Sequence, residues 1–83
     1  MKLVKVSTEW CAPCKMLKSQ MIGFNACELE EIDASLDPDK VTELQVRGVP
    51  TLILFNDDGE EVWRNTGVIA KAVIEQKVKQ FSK

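Results

Sequence analysis

The chain has no histidine, only four glycines and three prolines, and just three cysteines among its 83 residues. Each shortage narrows the options. So small and odd a number of cysteines does not make the disulfide framework that holds small secreted domains together. With no histidine, only Cys27 could join Cys11 and Cys14 as a zinc ligand, which leaves such a site short of its usual four. No apolar run is long enough to cross a bilayer. The opening Met1-Lys2-Leu3-Val4-Lys5-Val6 carries a charge inside its apolar stretch, so it reads as a strand and not as a signal peptide. Net charge is −2, which gives nucleic acid nothing to grip. A cytoplasmic protein is therefore expected. No linker, repeat or low-complexity tract interrupts the sequence, and one small domain over residues 1–83, with a modest core, is the expectation.

What is present is an alternation of strand and helix signals. Residues 2–7 read as a buried strand, with Val4 and Val6 on one face and Leu3 and Lys5 on the other. Residues 12–22 read as a helix: Pro13 suits its first turn, Leu17 and Met21 give an apolar stripe, and Gly23 stops it. A second strand is placed at 27–33, crowded by Glu28, Glu30 and Glu31. Asp37-Pro38 opens a short helix with Val41 and Leu44 facing inward, ended by Gly48. Thr51 to Phe55 is a strongly apolar third strand, Asn56-Asp57-Asp58-Gly59 a turn, and 60–64 a fourth strand. The last helix starts near Val68, with Ala70, Val73, Ile74, Val78 and Phe81 on its apolar face. The order βαβαββα predicts an α/β fold: one four-stranded mixed sheet flanked by helices, its first two strands parallel and its last two a hairpin.

Trp10-Cys11-Ala12-Pro13-Cys14-Lys15 lies where the first strand runs into the first helix. The spacing lets one sulfur attack a foreign disulfide while the other waits to close the ring. The attacking species is the thiolate, and the unpaired N–H groups and dipole of a helix N-terminus stabilise it. Cys11 sits at that terminus and Cys14 one turn in, so Cys11 is the expected attacking sulfur and Cys14 the resolving one. Lys15 and Lys18 lie nearby and could attract acidic partners, but a solvated helix face is the preferred account of them. Cys27 reads as a small buried hydrophobe.

This element order resembles the thioredoxin family, with the Trp-Cys-x-Pro-Cys-Lys motif after the first strand and Val49-Pro50-Thr51 opening the third. The stretch from Val46 to Phe55 is similar to the corresponding thioredoxin segment almost residue for residue. The resemblance implies a thioredoxin-like fold, with Cys11 and Cys14 as nucleophilic and resolving cysteines and a cis Val49-Pro50 bond beside them. It also implies a substrate groove completed by Trp10, Thr66 and Gly67. No bound cofactor is needed, because the sulfurs carry the electrons. The implied partners are an NADPH-linked thioredoxin reductase as electron donor and disulfide-containing proteins such as ribonucleotide reductase, with the chain acting as a monomer. The strong oxidants of this fold tend to carry a histidine between the cysteines. Ala-Pro here is closer to thioredoxin's Gly-Pro and implies a reductant, nearer roughly −270 mV than roughly −120 mV.

The chain departs from the family in lacking the strand and helix that usually precede the active-site strand, as glutaredoxins do, and in a shortened active-site helix. It also departs at Lys5, which stands six residues before Cys11 where thioredoxins usually carry a buried acid. Two readings of Lys5 follow. It pairs with one of Glu28, Glu30 or Glu31 on the neighbouring strand, making Lys5 and a carboxylate such as Glu30 modulators of the thiol pKa. Alternatively it points to solvent on an uncovered face. Two alternative functions are a glutathione-coupled glutaredoxin and a non-enzymatic partner-docking module. The first has the short scaffold in its favour but lacks the glutaredoxin Pro-Tyr and Gly-Gly-Asp signatures. The second predicts that Cys11→Ser would spare the biological role.

Overall fold

The structure is a computed structural model. It describes residues 1–82; Lys83, the last residue of the expected domain, lies outside the described residues. Seven elements follow in the expected order: β1 (Lys2–Ser7), α1 (Ala12–Gln20), β2 (Glu28–Asp33), α2 (Pro38–Glu43), β3 (Thr51–Phe55), β4 (Glu61–Thr66) and α3 (Lys71–Phe81). The strands form one sheet in the order β2-β1-β3-β4. β1 runs parallel to β2 and antiparallel to β3, and β3 and β4 form the hairpin.

Strand position explains strand composition. β1 and β3 are central, and their side chains are buried on both faces of the sheet, as their near-continuous apolar runs require. β2 and β4 are edges. The carboxylates that crowd β2 mark an exposed rim where charge discourages pairing with a second chain. The period-2 alternation of β1 divides the core in two. Leu3 joins Leu17, Met21, Leu52, Leu54, Ile74 and Val78 beneath α1 and α3, while Val4 and Val6 join Ile32 and Ile53 on the opposite face. At the hairpin, the Asn56 side-chain oxygen accepts from the backbone N–H groups of Asp58 and Glu60, at 3.0 and 2.9 Å, and so closes the turn.

Six boundaries differ from the sequence reading, and two of them are strand starts, β2 at Glu28 and β4 at Glu61, each one residue later than expected. α1 stops at Gln20, because the Met21 N–H already turns back to Leu17 and Lys18 and residues 21–23 form a turn. α2 ends at Glu43, well before Gly48, through a Schellman motif built on Gln45 at φ 56°. The Val46 N–H reaches the Val41 carbonyl at 3.0 Å and the Gln45 N–H reaches Thr42 at 3.1 Å. Arg64 then donates to the Leu44 and Gln45 carbonyls at 2.8 and 3.2 Å, tying this connection to β4. β4 runs on to Thr66, and α3 begins at Lys71. The Lys71 ammonium donates to the Ile22 carbonyl at 2.8 Å, fastening the end of α1 to the start of α3.

Candidate active site

α1 begins where β1 ends, and its first turn is organised by sulfur. Cys11 is the N-cap, in extended conformation, and its Sγ accepts the Cys14 backbone N–H at 3.1 Å. A helix leaves its first N–H groups without intrahelical partners, and here one of them is spent on the cysteine. Pro13, in the first turn, has no N–H to satisfy. No acidic side chain competes in that turn. Cys11 and Cys14 are joined as a disulfide. Cys11 is half-buried, whereas Cys14 is buried, so a partner approaching from solvent meets Cys11 first.

Two further loops reach the same place. The Val49 carbonyl oxygen lies 3.8 Å from Cys11 Sγ, and the Val49-Pro50 peptide bond is cis. The Pro50 carbonyl accepts the Gly67 N–H at 2.9 Å. Gly67 has φ 104°, a conformation that suits glycine. Thr51 Oγ1 bonds the Gly48 carbonyl at 2.6 Å and lies 3.2 Å from Thr66 Oγ1, which cross-links the starts and ends of the two hairpin strands. Cys11, Val49, Pro50, Thr66 and Gly67 are thus linked end to end by short contacts. Trp10 lies outside this chain of contacts and is 87 % exposed.

Behind the dithiol lies a cavity of about 430 Å³ whose wall includes Lys5, Trp10, Cys14, Lys18, Glu31 and Asp33. Lys5 is only 5 % exposed, so the solvent-facing reading of this residue does not hold. The face is covered because Lys5 shares it with Leu3, beneath α1, and because β2 supplies a counter-charge. The Lys5 ammonium is 2.8 Å from the Glu31 carboxylate, directly across the parallel β1/β2 register. That hydrogen bond, reinforced by the lysine charge, holds the Glu31 carboxyl below its ordinary range. Glu30, named from sequence as the modulator, alternates to the other face and pairs instead with Lys2 at 2.7 Å. Glu31 is the carboxylate that pairs with Lys5, and the signal that could have found this pairing was the in-register parallel pairing of 2–7 with 28–33.

Cys27 is half-buried at the rim of the larger core cluster, less enclosed than expected, and desolvation raises its thiol pKa. Among the described residues, no three histidine, cysteine or carboxylate side chains converge as metal ligands. No helix among them is long and apolar enough to cross a membrane.

A cysteine pair that closes on itself at a helix N-terminus can give two electrons to a disulfide and take two back, and a protein built around it is a thiol–disulfide oxidoreductase. The sheet order and the three flanking helices are those of the thioredoxin-like fold. The chain belongs to the thioredoxin family, whose model, named Thioredoxin, matches residues 1–80, and its activity is the reduction of protein disulfides. It is similar to the SPbeta prophage-derived thioredoxin-like protein YosR of Bacillus subtilis, 37% identical over 67 residues that cover 81% of this chain and 82% of that one. Among solved structures, a mutant thioredoxin from Halobacterium salinarum superimposes with a TM-score of 0.87 at 27% identity, covering 99% of this chain and 74% of its own. The bifunctional thioredoxin reductase/thioredoxin of Mycobacterium leprae is 32% identical over 77 residues, 87% of this chain and 17% of that protein.

Proposed function

We propose that the chain is a general protein disulfide reductase acting as a single-domain cytoplasmic monomer, in which Cys11 attacks and Cys14 resolves. The observation that carries this reading is the Cys11 sulfur serving as helix N-cap at 3.1 Å from the Cys14 N–H. The group that must become an anion is already seated where the helix favours negative charge. The reduced Cys11 thiolate attacks one sulfur of the substrate disulfide, that S–S bond breaks, and the other substrate sulfur leaves as a thiol. Cys14 loses its proton and attacks Cys11 Sγ. The second substrate thiol departs and the protein is left with the Cys11–Cys14 disulfide. The substrate segment lies along Val49 and Pro50, flanked by Trp10, Thr66 and Gly67.

Electrons return from an NADPH-linked thioredoxin reductase. The fusion of such a reductase to a similar domain in Mycobacterium leprae supports that pairing. Ribonucleotide reductase is a candidate acceptor among disulfide-containing proteins. The test is insulin reduction with NADPH and thioredoxin reductase, run beside the same assay with glutathione. Reductase-driven turnover is expected, with Cys11→Ser inactive and Cys14→Ser accumulating a mixed disulfide. Turnover with glutathione alone would refute the coupling, and activity of Cys11→Ser would refute the assigned roles.

A further inference from the structure

Lys5 is a buried cation at the back of a redox dithiol, and the reaction as described makes no use of it. It is nearly inaccessible to solvent, it shares a cavity wall with Cys14, and it is paired with Glu31, on the same wall, at 2.8 Å. The other charged groups on that wall are Glu9, Lys15, Lys18 and Asp33, all on more open residues. A charge shielded from water acts on its neighbours more strongly than one on an exposed helix face. When the protein is reduced, negative charge develops on the cysteine sulfurs, and Lys5 carries the most enclosed positive charge on the cavity wall that includes Cys14.

We propose that Lys5 sets the charge environment of the dithiol: its ammonium stabilises Cys14 as a thiolate, and the Glu31 carboxylate limits that stabilisation. The pair therefore poises the protein toward its reduced form, with Glu31 opposing Lys5. This rests on the reading of Cys11 and Cys14 as the redox pair. The equilibrium concerned is reduced protein plus glutathione disulfide giving the Cys11–Cys14 disulfide plus two glutathione thiols, with the two thiol protons passing to the glutathione sulfurs.

The experiment compares the parent with Lys5→Met, Lys5→Arg and Glu31→Gln. Thiolate absorbance is titrated in the reduced proteins, and each is equilibrated with glutathione buffers at pH 6 and pH 8.5. Lys5→Met should titrate at higher pH and become easier to oxidise, its oxidation constant at pH 8.5 rising at least threefold, about 14 mV in a two-electron couple. Glu31→Gln should shift the other way, and Lys5→Arg should follow the parent. All differences should shrink at pH 6, where the thiols are protonated and a nearby cation favours neither redox state. A purely structural ion pair predicts something else, since losing either partner would then move the constant in the same direction and by a similar factor at both pH values. That result, or no shift in any variant, overturns the proposal. Should Lys5→Met fail to fold, Glu31→Gln decides alone, through a shift toward harder oxidation that shrinks at pH 6, because the Glu31 side chain is 62 % exposed and its replacement is tolerable. A parent protein that never forms the Cys11–Cys14 disulfide in these buffers would overturn the dithiol reading itself. A parent that equilibrates while its variants do not shift overturns only the role of Lys5.

Discussion

Replacing Leu17 and Trp10 by alanine, one at a time, separates what holds the dithiol in place from what meets the substrate. Leu17 lies on α1 three residues after Cys14, is fully buried, and sits in the cluster of Leu3, Met21, Leu52, Leu54, Ile74 and Val78. Leu17→Ala deletes three carbons, worth about 2.4 kcal/mol in transfer at about 0.8 per methylene. The cavity left behind raises the cost to about 3–5 kcal/mol. A domain of 83 residues is stable by about 4–12 kcal/mol at ordinary per-residue values, so this one change consumes a large share of the total. With a urea slope of about 1.5 kcal/mol per molar, the unfolding midpoint should fall by about 2–3 M. Trp10 is larger, yet it is 87 % exposed, and Trp10→Ala should cost less than about 0.5 kcal/mol. Its effect should appear instead in insulin reduction, as a fall in kcat/KM of about tenfold, about 1.4 kcal/mol of lost transition-state binding. Urea titrations of the oxidised proteins followed by circular dichroism, with turnover measured on the same samples, make the comparison. If Trp10→Ala lowers the midpoint as far as Leu17→Ala and leaves turnover intact, Trp10 belongs to the core and the substrate groove is misassigned.

Other expectations follow from individual contacts. Lys5 lowers the Glu31 pKa in the folded protein, so this pair's contribution is present above the unfolded value of 4.5 and is lost as pH falls through the lower, folded value. Discounted for the 62 % exposure of the Glu31 side chain, that contribution is about 1 kcal/mol. Glu31→Gln should therefore be less stable than the parent at pH 7 and closest to it at pH 3 by urea titration; a constant gap across that range would count against the pairing. Arg64→Met strips donors from the Leu44 and Gln45 carbonyls and should cost about 1–2 kcal/mol, with faster hydrogen exchange around residues 44–48, whereas unchanged exchange would show that the Schellman turn holds without it. Gln45 adopts φ 56°, so Gln45→Gly should stabilise by about 0.5–1 kcal/mol in the same titrations, and a loss of stability would contradict the strain assigned to that turn.

The order of elements was legible because each carries its own period. β1 and β3 announce themselves by apolar runs, α3 by its stripe, and the hairpin by Asn56 to Gly59. The dithiol was legible for a local reason too: Pro13 and the Cys11, Cys14 spacing are both first-turn features of one helix. Boundaries set by tertiary partners were not. Nothing about Gln45 advertises a left-handed residue, since the Arg64 that helps hold the turn lies 19 residues further along the chain. The end of β4 was set too early because Asn65 and Thr66 look like turn residues, while the register opposite Leu52 and Thr51 keeps them in the sheet. Sequence alone does not separate Glu31 from Glu30 as the partner of Lys5, because a strand's face cannot be assigned until its register is fixed, and a slip of one residue exchanges every side chain between faces.

The burial of Lys5 shows how the sheet divides its work. β1 and β3 are buried on both faces and carry the parts whose position matters most, since β1 leads into Cys11 and β3 begins at the residue after Pro50. A charge placed on such a strand needs a partner to offset its desolvation, and an apolar central neighbour cannot supply one. β2 can, because it is an edge: Glu31 faces Lys5 on one side and water on the other. The lysine is thereby held near the dithiol while its counter-ion stays open to solvent and to pH. Replacing Glu31 is therefore expected to change the charge around Lys5 while leaving in place the contact that sets Cys11 3.8 Å from the Val49 carbonyl. Moving the same carboxylate onto β3, opposite Lys5 at Leu52, would bury both charges and displace a fully buried leucine of the core. The edge is where this fold can vary its charge without repacking its centre.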